Sequence, residues 1–369
     1  MILPAARLGL MGSGQLGRMF TQVAEQNGYR VACYSPETNS PASKMGAREY
    51  VASYEDEKSL SIFLSEIDAL TFEFENIPKT ALNLIKKFRD KGLRVCPSPE
   101  AIEIAQDRSR EKAFFNEHGM PTTAFYPIRG IEDFYEIIDK IQYPVIIKVN
   151  QFGYDGKGQK KIHNVEEAEE WIRSMKGSSL IIEEVVEFEK ELSIIIAGFE
   201  GGEIYYYLPS ENIHKNHILD FTINPAKISN SIQRQCVEYS TKLIHSLHYV
   251  GVLGLEFFLS GEEVLCNEFA PRPHNSGHFT QDACNLSQFD LQLRALCNLP
   301  MPEELVSRPC IMKNIMGEDM ETLPKAMQNY FQTTGYSLHL YGKEEARKGR
   351  KMGHWNYTGK LNYREAFPY

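Results

Sequence analysis

A chain of 369 residues with 42% hydrophobic and 24% charged residues is long enough for two or three globular domains and too evenly mixed for a disordered or fibrous protein. A formal net charge of -9 argues against general nucleic-acid binding, and no apolar run reaches the length of a membrane span, so neither nucleic acid nor membrane is an expected partner. Seven cysteines (Cys33, Cys96, Cys236, Cys266, Cys284, Cys297, Cys310) are scattered without a CxxC pair, and the N-terminus lacks the progression of a secretory leader. Both features fit reduced thiols in a cytoplasmic protein, with no zinc site.

In chain order, residues 7–110 alternate between strand and helix patterns. Residues 7–11 read as a strand, Gly12 to Gly17 as a turn, residues 18–27 as a helix closed by Gly28, and residues 29–34 as the next strand. This is a GxGxxG in a strand-turn-helix setting, where glycines let the backbone approach a ligand and the helix N-terminus favours an anion. A nicotinamide-dependent oxidoreductase is therefore one reading. Its ribose-binding acid would have to be Glu37, beyond the strand and after Pro36, which weakens it. Residues 69–76 form a further strand pattern holding Glu73 and Glu75. Either both acids alternate onto a solvent face, or Glu75 and Gln15 look into one crevice at the carboxyl ends of sheet strands. Prolines 97 and 99 mark the end of this unit, and one helix over residues 100–118 is the expected connector.

A second unit begins near Pro121. Residues 143–150 read as a strand with Lys148 inside it; a lysine there either snorkels at an edge or meets an anion, because burying its charge unpaired is costly. The glycine-rich stretch from Gly153 to Gln159 follows at once and can fold its amides over phosphates. Residues 180–186 and 191–198 read as neighbouring strands of antiparallel sheet, residues 211–217 as a polar loop, and residues 231–248 as a helix. Leu253, Leu255, Phe257 and Leu259 then alternate with Gly254, Glu256 and Phe258, a turn falls at Ser260-Gly261, and the chain returns through residues 264–269. Folding this hairpin sets Glu256 roughly across from Glu268, and two such charges repel unless a cation lies between them. Mg²⁺ shares hard oxygen ligands with substrate phosphates, so the pair predicts an ATP-bound metal site; a solvated hairpin edge is the alternative. Arg272, His274, Asn275, Ser276 and His278 crowd the loop that follows. After Pro302 a third, smaller unit is expected, with strands at 311–317 and 336–341 and a basic turn over 342–351 that is either solvated or a phosphate clamp.

Taken together, these pieces resemble the ATP-grasp superfamily. GSGQLGRM at 12–19, FEFENIP at 72–78, GYDGKGQ at 153–159, NEFAPRPHNSGH at 267–278 and GRKMGH at 349–354 are similar to the N5-carboxyaminoimidazole ribonucleotide synthetases of purine biosynthesis, and they span nearly the whole chain. The resemblance implies an α/β and α+β fold: a Rossmann-like pre-ATP-grasp domain (1–110), a two-lobed ATP-grasp domain (111–298) and a small β-rich C-terminal domain (299–369). It implies a homodimeric carbon-nitrogen ligase that uses ATP and bicarbonate, through carboxyphosphate, to carboxylate the amine of 5-aminoimidazole ribonucleotide. ATP would be met by Arg108, Lys148, Gly153, Tyr154, Asp155, Gly156, Lys157, Gly158, Gln159, Glu183, Glu184, Val185, Val186, Glu191, His214, Asn267 and Glu268. Glu256 and Glu268 would hold Mg²⁺, two ions, with Mn²⁺ as the substitute. Arg272, His274, Asn275 and Lys148 would be the catalytic residues around bicarbonate. Gln15, Glu75, Tyr154, Asp155, Arg272, Lys343 and Arg350 would meet the ribonucleotide. Where much of the superfamily has Glu-x-Asn, this chain has Glu268-Phe269-Ala270, which leaves Asn267 or water as the remaining ligand. Two rivals stay open beside the dehydrogenase: a ligase of the same superfamily with another acceptor, and a nucleotide-binding protein without chemistry.

Overall fold

The computed structural model describes residues 1–151, 158–360 and 362–368. Its first strand, Arg7–Met11, is almost wholly buried, which suits a position inside a parallel sheet covered on both faces. Arg30–Ser35 pairs with it on one side and Ala69–Phe72 on the other, and Arg48–Val51 and Arg94–Val95 form the edges. Strand order therefore reverses at Arg7–Met11, and the ligand crevice of such a sheet opens where Met11 and Phe72 end side by side. The strand expected to reach Asn76 stops at Phe72, because the chain turns there to feed the helix Lys79–Arg89.

The expected single connector is two helices, Pro99–Ala105 and Arg108–Glu117. Asp107 interrupts them and caps the second by accepting from the Arg110 N–H at 3.0 Å. Asn150 then ties that first turn to the end of strand Val145–Val149: its side-chain oxygen accepts from the Ser109 N–H at 2.9 Å, and its carbonyl from the Arg108 N–H at 3.1 Å. The break thus delivers Arg108 beside Lys148.

Two lobes follow. The smaller is a four-stranded antiparallel sheet in the order Phe125–Ile128, Leu180–Glu184, Val145–Val149, Gln159–Ile162. Phe134, Ala168 and Ile172 from its two covering helices close an apolar core with Val145, Ile147 and Ile182. Leu180–Glu184 and Lys190–Gly198 are not neighbours in one sheet, as the sequence suggested; residues 185–189 carry the chain from the small sheet to a nine-stranded one. The large sheet runs Glu263–Ala270, Gly251–Ser260, Lys190–Gly198, Ser210–Lys215, Ile218–Asn224, Cys310–Met316, Lys351–Tyr357, Tyr336–Leu340, with Ile204–Tyr206 added on Lys190–Gly198. The strands beyond residue 302 therefore do not make a sheet of their own. They extend the central sheet, with Thr222 in register with Met312, and bury Phe221, Ile311, Ile315, Trp355 and Phe367 together.

Helix Gln288–Cys297 lies at the junction of all this. Phe289, Leu293 and Leu296 pack on Leu16, Met19 and Phe20 of helix Gln15–Gln26, each fully buried side chain contributing about 1.5–3 kcal/mol. Arg94 reaches across to the carbonyls of Ala295 and Leu296 at 3.0 and 2.5 Å, capping the helix end. All seven cysteines are free thiols, and among the described residues no helix is long and apolar enough to cross a membrane.

Candidate active site

The hairpin of Gly251–Ser260 and Glu263–Ala270 carries the first functional feature. Leu255 pairs with Phe269 and Phe257 with Cys266, so one residue, Glu256, stands opposite two, Asn267 and Glu268. This is a β-bulge, a device that re-aims side chains next to a site. All three polar side chains line a single cleft of about 950 Å³ whose walls come from the N-terminal sheet, both lobes and the C-terminal turn.

Charge in the cleft is unevenly shared. The Arg108 guanidinium lies 2.6 Å from Glu268. Burial alone would raise the Glu268 pKa, but Arg108 and Lys148 outweigh it and hold the carboxyl below its usual range. For Glu256, burial and then Glu268 outweigh His214 and Lys351 and push it up, so the pair's proton resides there. Lys148 Nζ sits 2.9 Å from Glu183, a buried carboxylate that also lies 3.7 Å from Lys112. Burial raises Glu183 as well, yet Lys112 and Lys148 leave it below the ordinary value. Glu183 is not among the cleft-lining residues; its carboxylate fixes Lys148 from behind.

Lys112 and Glu111 were passed over in the sequence. Lys112 is buried with its Nζ 2.8 Å from Thr123 Oγ1, and burial lowers its pKa. Glu111 accepts from the Phe269 N–H at 2.6 Å and so anchors the strand that carries Glu268. A signal existed: Arg108, Glu111, Lys112 and Phe115 fall at i, i+3, i+4 and i+7, the buried stripe of a helix, and three of the four are charged.

The loop after the hairpin brings its predicted residues together. Arg272 Nε donates to Glu75 at 2.7 Å, joining the large sheet to the N-terminal unit. His274 Nδ1 accepts from the Ser276 N–H at 3.4 Å, and its Nε2 is 3.5 Å from Glu256. Burial, reinforced by Arg272, depresses its pKa to about 3, so the ring is neutral with its proton on Nε2. Asn275 lines the cleft, and among the described residues neither polar atom of its buried amide has a hydrogen-bond partner. Glu191 and His214 face each other at 2.6 Å on the same wall; burial lowers the His214 pKa, and Glu191 more than restores it. Phe188 stacks on Phe258 at 4.8 Å between ring centres and gives the cleft one flat apolar surface.

On the opposite side the C-terminal turn docks on the N-terminal sheet. Lys343 Nζ donates to Gln15 Oε1 at 2.6 Å and to the Lys351 carbonyl at 2.7 Å; burial, then Arg350 and Lys351, lower its pKa to about 8. Arg350 lines the cleft beside it, whereas Arg347 pairs with Glu345 in solvent. Gln159 is a lining residue too, and Gly158, at φ +76°, passes so close to Val149 that a Cβ would lie 2.7 Å from its Cγ2. Glu184, Val185 and Val186 lie where the chain leaves the small sheet and are not cleft-lining. Gly153, Tyr154, Asp155, Gly156 and Lys157 lie outside the described residues.

The glycine turn at 12–17 resolves differently from its first reading. Both oxygens of Glu73 are taken by the N–H groups of Gly14 and Gly17, the latter at 2.7 Å. A Cβ on Gly12 would come within 2.3 Å of Glu73 Cγ, which is why the turn needs glycine. The anion place at the helix N-terminus is filled by the chain's own carboxylate, so a dinucleotide pyrophosphate has no seat there.

Three family descriptions match in series: Ribonucleotide synthetase preATP-grasp domain over residues 5–106, ATP-grasp domain over 113–289, and Phosphoribosylaminoimidazole carboxylase C-terminal domain over 310–364. An N5-carboxyaminoimidazole ribonucleotide synthase of Brucella melitensis biotype 1 is 39% identical over 354 residues, 95% of this chain and 96% of that protein. The chain belongs to the N5-carboxyaminoimidazole ribonucleotide synthase family. A crystal structure of an N5-carboxyaminoimidazole ribonucleotide synthetase in its ADP complex superimposes with a TM-score of 0.92 at 38% identity, covering 99% of this chain and 95% of that one. An Aspergillus clavatus N5-carboxyaminoimidazole synthase, solved with ADP and 5-aminoimidazole ribonucleotide, gives 0.87 at 27% identity over 96% and 94%.

A divalent cation, expected of this synthase family, fits the donors present. Glu256, Glu268 and Asn267 offer hard oxygens, and the repulsion between the two carboxylates is eased here by a proton on Glu256 and by Arg108 and Lys148 beside Glu268. Among the described residues no group of three or more His, Cys, Asp or Glu is arranged to hold a metal alone.

Proposed function

We propose that this cleft carries out the ATP- and bicarbonate-dependent carboxylation of 5-aminoimidazole ribonucleotide to N5-carboxyaminoimidazole ribonucleotide, with release of ADP and phosphate. The observation that carries the reading is convergence. The Glu256–Glu268 pair with Arg108 and Lys148, and the Gln15–Lys343–Arg350 group from the two ends of the chain, open into one cleft. Phosphoryl transfer and recognition of a second, phosphorylated substrate can share that space.

Arg108, Lys148, Gln159, Glu191, His214 and Asn267 would contact ATP, with Phe188 and Phe258 against an apolar part of it. Glu256 and Glu268 would hold Mg²⁺, two ions or Mn²⁺ in their place, whose charge neutralises the transferring phosphoryl group. Glu256 would hold such an ion as a carboxylate, without its proton. Arg272 and the amide of Asn275 provide charge and donors for bicarbonate, which gains the γ-phosphoryl and becomes carboxyphosphate. His274 acts as a donor through Nε2 rather than as a base, because Nδ1 already accepts from Ser276. Lys343 and Arg350 take the phosphate of the ribonucleotide, and Gln15 and Glu75 its neighbouring polar groups. The amine then attacks the carboxyl carbon and phosphate leaves. The division at residues 110 and 298 and a homodimer belong to the same reading and rest on the resemblance, and a cytoplasmic location rests on the scattered cysteines.

The test is ADP release from Mg-ATP and bicarbonate with and without 5-aminoimidazole ribonucleotide, using other amines as controls. The ribonucleotide alone should stimulate release strongly and yield a labile carbamate. ATP turnover indifferent to it would mean that the acceptor is another amine.

A further inference from the structure

Gln288 opens helix Gln288–Cys297 with a side chain that is fully buried and does not line the cleft. A primary amide carries a donor and an acceptor side by side, and a residue in extended conformation presents its N–H and C=O on one side, so a single amide can pair with both. His274 has that conformation, with φ -117° and ψ 154°. Gln288 Oε1 accepts from the His274 N–H at 2.8 Å, and Gln288 Nε2 donates to the His274 carbonyl at 2.9 Å. The same Nε2 lies 3.1 Å from His278 Nδ1.

The clamp is itself held. Ser287 and Asp290 form a capping box around the start of the helix, and the Gln288 N–H donates to Thr280 Oγ1 at 3.0 Å. Glycine is required on both sides of it. A Cβ on Gly277 would stand 2.4 Å from Gln288 Oε1, and one on Gly254 would stand 2.6 Å from His274 Cβ. His274 otherwise belongs to a loop, and its ring meets Glu256 only because the backbone beneath is fixed. One turn along the helix, Gln292 makes a similar pair of contacts elsewhere: its Oε1 accepts from the Val252 N–H at 2.6 Å and its Nε2 donates to Thr71 Oγ1 at 2.7 Å.

We infer that Gln288 is a positioning residue for the carboxylation, holding His274 so that its Nε2–H stays in the cleft beside Glu256. The inference rests on the function proposed above for that cleft. Gln288 touches no substrate, so its effect passes through His274. Displacing a catalytic group by about 1 Å costs on the order of 100-fold in rate.

The experiment compares Gln288→Met with Gln292→Met, two buried apolar replacements on one helix, by hydrogen–deuterium exchange and steady-state kinetics. In Gln288→Met, exchange over residues 271–278 should quicken by roughly tenfold or more, the release expected when a buried hydrogen bond is lost. Its kcat should fall about 100-fold while the KM for ATP stays within about threefold. Gln292→Met should lower Tm comparably but leave exchange over 271–278 and kcat near wild type. Gln288→Glu keeps the acceptor for the His274 N–H and loses the donor to its carbonyl; it should fall between, and it serves if the methionine variant does not fold. Unchanged exchange with kcat within about threefold in Gln288→Met, or equal kcat losses in the two methionine variants, would overturn the assignment. A wild-type enzyme indifferent to the ribonucleotide would instead undo the reading of the cleft, while the exchange data would still decide whether Gln288 positions His274.

Discussion

Two carboxylate-bearing regions of this protein look alike in sequence and are built to opposite ends. At the glycine turn, Glu73 is half-buried at the edge of the cleft and both its oxygens are met by backbone N–H groups, so the chain completes its own anion site. At the hairpin, Glu256 and Glu268 face each other across a bulge, and their repulsion is eased by a proton on Glu256 and by Arg108 and Lys148 beside Glu268. The first is finished without a ligand and the second is not. A motif that announces a ligand can be satisfied internally, whereas a site that still needs a cation carries its charge into an open cleft.

The contrast can be broken most sharply at Glu268. Glu268→Ala should lower ATP turnover by about a thousandfold or more while leaving thermal unfolding near wild type, because it removes charge from the phosphoryl-transfer site and no structural partner except Arg108. Undiminished turnover in a steady-state ADP assay would remove the metal assignment. Glu73→Ala should show the reverse balance. Two part-buried N–H groups lose their acceptor, and urea unfolding should report a loss of about 2–4 kcal/mol. Stability equal to wild type would mean that the glycine turn does not depend on its plug.

Smaller effects are expected on the ribonucleotide side. Arg350→Ala should raise the KM for the ribonucleotide roughly tenfold with little change for ATP, as loss of one phosphate contact would. An unaltered KM would take Arg350 out of the site. Smallest is a pH effect at Lys343, whose pKa is lowered to about 8. The ammonium is charged below that value and attracts phosphate; as pH rises through it the charge and the attraction are lost. The kcat/KM for the ribonucleotide should therefore decline above pH 8, and Lys343→Arg, charged throughout, should flatten the profile. A wild-type profile level to pH 9 would contradict the environment described for Lys343.

Much of this was legible in the chain. The alternation of Leu253, Leu255, Phe257 and Leu259 is a local signal, and the hairpin forms where it falls. The bulge that adds Asn267 to Glu256 and Glu268 has no such signal, because it depends on register between two strands. Residues 180–186 and 191–198 could not be assigned to separate sheets from their own composition, since apolar runs carry no record of their partner. The same holds for the strands after residue 302, whose pairing with Ile218–Asn224 is a contact between segments about ninety residues apart. Lys148 was readable because a lysine interrupts an apolar run; Lys112 sits among other charges, and only helical spacing gives it away. Gln288 was invisible as a neutral residue whose importance lies in facing both backbone groups of His274.

The central claim is that ATP activates bicarbonate in this cleft. It is tested most directly by supplying ¹⁸O-bicarbonate with ATP and 5-aminoimidazole ribonucleotide and analysing the phosphate by mass spectrometry. Transfer of the γ-phosphoryl to bicarbonate oxygen, followed by loss of phosphate from the carbon, predicts one labelled oxygen in each phosphate released. Phosphate free of label, formed in step with ADP and carbamate, would contradict the account.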